Sequence, residues 1–470
     1  MNIIEALLEV LPHDIVDSGD YIDDRYMGDW VLTVRDASPL ALVRPRTTEQ
    51  VAKTLELCHA TSTPVVTQGG LTGMAGGAAP VQGCVLLSME RMRALSPVDP
   101  SSATIEAEAG VTLEAVQKAA EEAGLLFALD IGARGSCTIG GNIATNAGGN
   151  RVLRYGMMRE QLLGLETVLA DGTILTSLNV MLKNNTGYDL KHLFVGSEGT
   201  LGVITRAVLK LHPLPVAKQT ALCAVDSFTS AVRLLQIAKA RLGSSLSAFE
   251  VMWPSFYEGV TSSLGLRPPL DLGHGAYILL DSMGTDPDAN EAEFQTFIES
   301  SFSDGVILDA VIAQTERQAL DLWAIRDASG EFPKFFSPYI PFDVSIPIGR
   351  MEAFIGECDA RLLHRWPDIQ ALWFGHIADS NIHVAVHIPG VDPLPEHDID
   401  TTIYDCVGEY GGAISAEHGI GVLKREFLDR SRSAAEIATM RTIKQALDPR
   451  NILNPGKVLV NTALGDARHF

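Results

Sequence analysis

From residue 39 to 215, short β-branched runs alternate with glycine-rich turns. LALVRP (40–45), PVVTQ (64–68), GCVLLS (83–88), ATIEAEAG (103–110), LETVLADG (165–172) and LGVITRAVLKL (201–211) read as strands. Branched side chains suit a pleated, half-buried surface. Helical spacing appears over 48–60 and 113–123, the second opening from Thr112 as an N-cap. The first residues read as a short amphipathic helix, and the proline-bearing HPLPVA (212–217) reads as a linker. Past it, helical spacing at 228–242, 290–302, 315–330 and 351–366 is interleaved with strand-like AYILLD (276–281), DVSIP (343–347) and ALWFGH (371–376). That alternation predicts a second domain, an antiparallel sheet covered by helices. A last helix, 434–447, leads into DPRNILNPGKVL (448–459).

With 470 residues the chain is too long for one hydrophobic core. The expected class is α+β. A first domain (1–215) combines the N-terminal helix with the glycine-rich sheet region, a second spans 216–420, and a helical segment (421–470) returns to the first.

Lys and Arg number 36 against 58 Asp and Glu, a formal charge of −22. Such a field repels nucleic acid and anionic membrane surfaces, so neither is expected as a partner. An anionic substrate then needs a local cation or a metal. No apolar run approaches the roughly 20 residues that span a bilayer, so no transmembrane segment is expected. The acidic start, MNIIEALLEVLPHDIVDSGD, lacks the basic flank and cleavage site of a secretory signal. Six cysteines (58, 84, 137, 223, 358, 406) include no CxxC pair. Both features point to a cytoplasmic chain with reduced, buried thiols.

The glycines cluster in three loops. TQGGLTGMAGG (67–77) directly follows the strand PVVT, and its glycines allow backbone N–H groups to converge on one anion, a diphosphate above all. The chain has no GxGxxG and no GxxxxGK[ST], which disfavours a Rossmann dinucleotide fold and a nucleotide-hydrolysing P-loop. GARGSCTIGGNIATNAGGNRVLRYG (132–156) lets a flat, bulky ligand approach closely, with Asn142 and Asn146 offering amides to its edge. In KNNTGYDLKHLFVGSEGTLGVIT (183–205), Glu198 sits between glycines in a loop that enters a strand.

IGGNIATNAGGNRVLRYG, LGLETVLADG and NTGYDLKHLFVGSEGTLGVIT together resemble the FAD domain of the vanillyl-alcohol-oxidase superfamily, the p-cresol-methylhydroxylase type. Within it the chain is similar to the branch of D-lactate dehydrogenase, D-2-hydroxyglutarate dehydrogenase and the glycolate oxidase flavin subunit. The resemblance runs from about Val43 to the closing NPGKVL. It implies that Thr67, Gln68, Gly69, Gly70, Leu71, Thr72 and Gly73 cradle the FAD pyrophosphate. It further implies flavin contacts from Pro45, Gly140, Gly141, Asn146, Gly148, Gly149, Glu198, Val203, Ile204 and Asn454. Some relatives tether flavin to a histidine in the pyrophosphate loop; residues 67–77 hold none, so noncovalent FAD is expected.

The second half carries a histidine pair. ALWFGH and IHVAVH flank an ADSN turn. With Asp379 and Ser380 as a two-residue hairpin loop, Ala378 faces Asn381 and Ile377 faces Ile382. His376 then stands opposite His383, Cβ atoms roughly 5 Å apart, where two imidazoles can share one metal. His387, two pleats on, reads as structural. GGAISAEHGIG (411–421) adds Glu417 beside His418, and two histidines with a carboxylate describe a working rather than a closed site. By resemblance, GHxxxxNxH and SAEHG give His376, His383 and Glu417 as ligands of zinc or manganese, although ADS (378–380) replaces the more usual GDG.

In relatives the arginine of an LWxxR motif, here Arg326, pairs with the substrate carboxylate, a task suited to guanidinium. Where hydroxyglutarate enzymes carry a hydroxyl, a lysine and an asparagine, this chain has Gly330, Pro341 and Ala385. Those departures favour a monocarboxylate such as lactate, or a longer apolar 2-hydroxy acid, over a dicarboxylate. The implied activity is oxidation of a D-2-hydroxy acid, with His418 as general base, hydride passing to FAD, and electrons leaving to a quinone, a cytochrome or an electron-transfer flavoprotein. A homodimer is compatible with the resemblance. The competing readings are a metal-independent flavin oxidase of the same fold, a redox-neutral transferase resembling alkyl-glycerone-phosphate synthase, and a non-catalytic FAD subunit.

Overall fold

The computed structural model describes residues 2–460. The chain divides into two compact units. The first comprises the residues through Gly149, Gly156–Leu214 and the segment from Glu417 onward; the second comprises Asn150–Tyr155 and Pro215–Ala416.

The first unit holds two four-stranded sheets. One runs Val16–Asp17, Ala41–Val43, Val85–Ser88, Val65–Gln68, with its last three strands parallel. The other is antiparallel, in the order Thr104–Glu108, Val203–Lys210, Leu162–Val168, Ile174–Ser177. Helix Thr48–Thr61 starts where the Thr47 side chain accepts from Gln50 N and stops where Ser62 turns left-handed at φ 54°. Its Val51, Leu55 and Cys58 are fully buried in one core with both sheets. Each such aliphatic side chain contributes about 1.5–3 kcal/mol. Helix Leu113–Glu122 opens from Thr112, whose side chain accepts from Ala115 N.

Two segments close this unit. Helix Ala434–Leu447 begins with a reciprocal cap between Ser433 and Glu436. Asp448, buried just beyond it, then accepts from Ile452 N (3.0 Å), Leu453 N (2.8 Å) and Lys444 Nζ (2.5 Å). That knot aims residues 452–454 along the strand Val65–Gln68, where Val65 N donates to Ile452 O and Asn454 N donates to Val65 O.

The second unit is a seven-stranded, wholly antiparallel sheet. Its order is Asp309–Ile312, Ala217–Val225, Ala276–Gly284, Leu246–Met252, Gln370–Gly375, Asn381–His387, Ile340–Ser345. Leu222, Met252, Tyr277, Leu279, Phe374 and Ala385 form one buried cluster with Phe256 and Tyr257 of helix Pro254–Ser263 and with Leu322 and Trp323 of helix Glu316–Arg326. The segment HPLPVA is no free linker. His212–Pro213 pairs with Leu125–Leu126, and Ala217 already begins a nine-residue strand. Proline is tolerated there because a two-residue edge pairing needs no N–H from it.

Asp448→Ala leaves two backbone N–H groups and the Lys444 ammonium without their anionic acceptor, and should cost about 3 kcal/mol of stability. Urea unfolding measures this; a loss below about 0.5 kcal/mol would contradict the anchoring role.

Candidate active site

A cavity of about 450 Å³ opens in the first unit. Its wall includes Thr67 to Gly73, Gly140, Gly141, Gly148, Glu198, Val203, Ile204 and Asn454, all expected from sequence. Pro45, Asn146 and Gly149 fall outside that wall. The Asn146 amide is spent locally: its Oδ1 accepts from Arg159 N at 3.0 Å, and its Nδ2 lies 3.6 Å from Met157 Sδ. Gly149 instead donates its N–H to Glu417 Oε1 at 2.5 Å.

The glycines are required by close packing. A Cβ on Gly70 would stand 2.0 Å from Ser136 O, and one on Gly140 would stand 2.6 Å from the Ala109 Cβ. Gly70 therefore packs directly on the segment at Ser136 and Gly140 on Ala109, whose carbonyl accepts from Gly140 N at 2.8 Å, and both line the cavity without a side chain in the way. Glu198 takes a left-handed backbone at φ 52°, and its carboxylate accepts from Ile420 N (2.7 Å) and Gly421 N (2.8 Å). Burial raises its pKa, an effect opposed by those two N–H groups and by Lys424 and Lys457. Asn454 completes the clamp, accepting from Thr67 N at 3.0 Å and donating to Glu198 O at 2.6 Å. Glu198 thus fixes the segment that brings Glu417 and His418 into the cavity wall.

Among the described residues, no lysine or arginine lines the cavity. Behind the glycine loop, Lys457 is 2% exposed and donates to Ala79 O, and burial pulls its pKa down to about 8. Sequence reasoning missed Thr138 in the wall. It stands at the N-terminus of helix Ile139–Ala144 without capping it, and its buried Oγ1, like that of Thr67, has no partner among the described residues. Two orphaned hydroxyls facing a glycine cradle fit a ligand rich in hydrogen-bonding groups, as FAD is.

The histidine pair lies in the second unit, and the expected hairpin register is corrected. Strand Gln370–Gly375 ends before His376, Ile377–Asp379 forms a helical turn, and Ser380 turns left-handed at φ 75°. Phe374, not His376, is opposite His383. A two-residue type I′ loop needs positive φ at both central residues, which Asp-Ser does not favour, so the chain takes the longer turn. His376 N-caps that turn off the strand end, and its ring centroid is still 5.3 Å from that of His383.

Each ring carries a buried carboxylate at Nδ1. Glu250 Oε1 is 2.6 Å from His376 Nδ1, and Asp343 Oδ1 is 3.6 Å from His383 Nδ1, the latter beyond a true hydrogen bond. Glu250 Oε2 accepts from Arg326 Nε at 2.8 Å, so the expected carboxylate-binding arginine is already half engaged. Burial alone would raise the Glu250 pKa, but His376 and Arg326 outweigh it and hold the carboxyl below its ordinary value. His387 is structural as expected, with Nδ1 2.6 Å from Pro338 O. At His376 the hydrogen-bonded carboxylate at Nδ1 leaves Nε2 as the lone-pair nitrogen, the arrangement that suits a metal ligand.

The family described as "FAD binding domain" matches residues 39–177, and that described as "FAD linked oxidases, C-terminal domain" matches residues 214–458. The chain belongs to the FAD-linked oxidases. It is 37% identical over 457 residues to the mitochondrial D-2-hydroxyglutarate dehydrogenase of Bos taurus, covering 97% of this chain and 83% of that one. It is 39% identical over 426 residues to the D-2-hydroxyglutarate dehydrogenase of Xanthomonas citri pv. viticola, covering 90% and 89%. In fold it is similar to a structure of p-cresol methylhydroxylase with substrate bound (TM-score 0.79, 18% identity, 98% of this chain and 96% of that chain). It is likewise similar to alkyldihydroxyacetonephosphate synthase (TM-score 0.74, 18% identity, 96% and 85%). This FAD-linked oxidase is an FAD-dependent oxidoreductase of the p-cresol-methylhydroxylase fold, with an antiparallel-sheet second domain covered by helices. No described helix is long and apolar enough to cross a membrane.

A Cβ on Gly141 meets only Thr138 Oγ1, at 3.4 Å, so a methyl there enters cofactor space rather than protein. Gly141→Ala should fold normally yet bind FAD at least ~10-fold more weakly, a loss of about 1.4 kcal/mol. Flavin titration of the apoprotein checks it; unchanged affinity would mean the cavity does not hold the cofactor.

Proposed function

We propose that the enzyme oxidises a D-2-hydroxy acid to the 2-oxo acid, with noncovalent FAD, a zinc or manganese ion held by His376, His383 and Glu417, and electrons leaving to an acceptor other than O2. The observation that carries the metal part is the pair of imidazoles 5.3 Å apart, each with a buried carboxylate on the Nδ1 side. The glycine-lined cavity would hold FAD, which would supply a hydride acceptor, and His376, His383 and Glu417 would hold a divalent cation, which would supply Lewis acidity that eases ionisation of the substrate hydroxyl.

The chain's own residues do the rest. His418, in the cavity wall, receives the hydroxyl proton on an imidazole nitrogen. Arg326 offsets the substrate carboxylate in a protein of net charge −22. Beside His383 the sheet face is apolar: Phe374 lies 5.1 Å away ring to ring, and Ala385, Phe332 and Phe336 belong to the same buried cluster. Gly330 and Pro341 bring no cation or hydroxyl to that face. A substrate chain with a methyl or longer apolar group suits it better than one ending in a second carboxylate. An electron-transfer flavoprotein, a quinone or a cytochrome is the proposed acceptor class.

Anaerobic bleaching of the flavin should be faster with D-lactate or a longer apolar D-2-hydroxy acid than with D-2-hydroxyglutarate, and should be abolished by chelator treatment. The opposite order would refute the substrate assignment; bleaching that survives complete metal removal would refute the metal. His418→Ala should keep its flavin yet lose about 10²–10⁴-fold in the reduction rate. A variant reduced at the wild-type rate would remove His418 from the proton transfer.

A further inference from the structure

The strand Leu246–Met252 carries a carboxylate where an apolar residue would be expected. Glu250 is 1% exposed, on a strand whose every residue is buried. Val251 pairs with Gly375 and Met252 with Phe374, so the same register brings Glu250 level with His376 as the neighbouring strand ends. Its two oxygens are divided between two partners, Oε1 at 2.6 Å from His376 Nδ1 and Oε2 at 2.8 Å from Arg326 Nε. Both partner side chains are 6% exposed, and Arg326 is the last residue of its helix. The third side of the triangle is a contact of 3.3 Å from an Arg326 terminal nitrogen to His376 Nε2.

A buried carboxylate must satisfy both oxygens, and only donors do so. The short contact at Nδ1 therefore requires an N–H there, while the Arg326 terminal nitrogen 3.3 Å from Nε2 can only donate; together they fix the neutral His376 tautomer with its lone pair on Nε2. The same anion holds the guanidinium through Nε and sets the direction of its two terminal nitrogens.

We propose that Glu250 is a positioning residue that serves two recognition tasks at once: it makes His376 a metal ligand through Nε2, and it aligns Arg326 for the substrate carboxylate. This rests on the metal-assisted reading above and adds to it a coupling, because one side chain sets both metal affinity and carboxylate affinity. A purely structural ion pair, tying the helix Glu316–Arg326 to the sheet, would affect stability and neither affinity.

Glu250→Gln tests the difference. An amide offers one acceptor where two donors need one each. When its NH2 faces His376, the ring proton moves to Nε2 and blocks the metal. Chelator-stripped, flavin-loaded protein is titrated calorimetrically with Zn²⁺ and with Mn²⁺. Wild type should bind one ion, and Glu250→Gln should bind it ~10–100-fold more weakly with flavin content close to wild type, although its Tm falls because the Arg326 charge is left buried without its counter-ion. With metal saturating, KM for the hydroxy acid should rise more than kcat falls, and Glu250→Asp should recover part of both effects. Equal metal affinity in wild type and Glu250→Gln would overturn the inference while leaving the metal reading intact. A wild type that binds no ion would overturn the metal reading itself. Should the Gln variant not fold, ¹⁵N-histidine spectra of stripped wild type, with His376 assigned by His376→Gln, decide the matter. An Nδ1–H tautomer supports the proposal, and an Nε2–H tautomer overturns it.

Discussion

A cofactor wall built from backbone rather than side chains is the constraint on which the first unit depends. Among the described residues no lysine or arginine lines the cavity, so a diphosphate there depends on backbone N–H dipoles and on hydroxyls such as those of Thr67 and Thr138. N–H groups serve only if nothing stands between them and the ligand and the loop cannot drift. Missing Cβ atoms serve the first condition at Gly141, where the only near contact is Thr138 Oγ1 at 3.4 Å, and at Gly70 and Gly140 they let the wall pack on a neighbouring segment that a side chain would strike. Asn454 and Glu198 meet the second, tying the strand after Val65, the loop at 198 and the returning segment at 420–421 into one knot. The buried Asp448 keeps Asn454 within reach of that knot.

The second unit uses the opposite strategy, with buried side-chain charge in place of backbone dipoles. Glu250, Arg326 and His376 are all nearly inaccessible, and removing any one of them strands a charge or a donor in a low-dielectric setting. Such clusters stabilise a fold poorly compared with apolar packing, and they set orientation well. Their neighbour is an aromatic face around Phe332 and Phe374, which limits water and leaves recognition of a substrate tail to shape and apolar contact.

Much of this was legible in the sequence, unevenly. Helices 228–242 and 434–447 matched residue for residue, because both open from a serine cap and carry apolar positions at regular spacing. Strands Ala217–Val225 and Leu246–Met252 were missed: the first follows prolines and begins AKQT, and the second is buried on both faces, so neither alternates. The glycine loops revealed the cavity, since their composition has few other uses, whereas Thr138 gave no signal distinct from an ordinary cap. His376 and His383 were found by pairing two strands, yet the register was two residues out, because the turn between them is helical. Glu250 was invisible: a lone glutamate in SAFEVM acquires meaning only once folding brings Arg326 and His376 to it.

Anomalous diffraction from crystals of the flavin-loaded enzyme grown with zinc or manganese addresses the central claim most directly. A single strong peak is expected at bonding distance from the His376 and His383 imidazoles and from the Glu417 carboxylate. A peak elsewhere, or none in crystals that reduce their flavin normally, would contradict it.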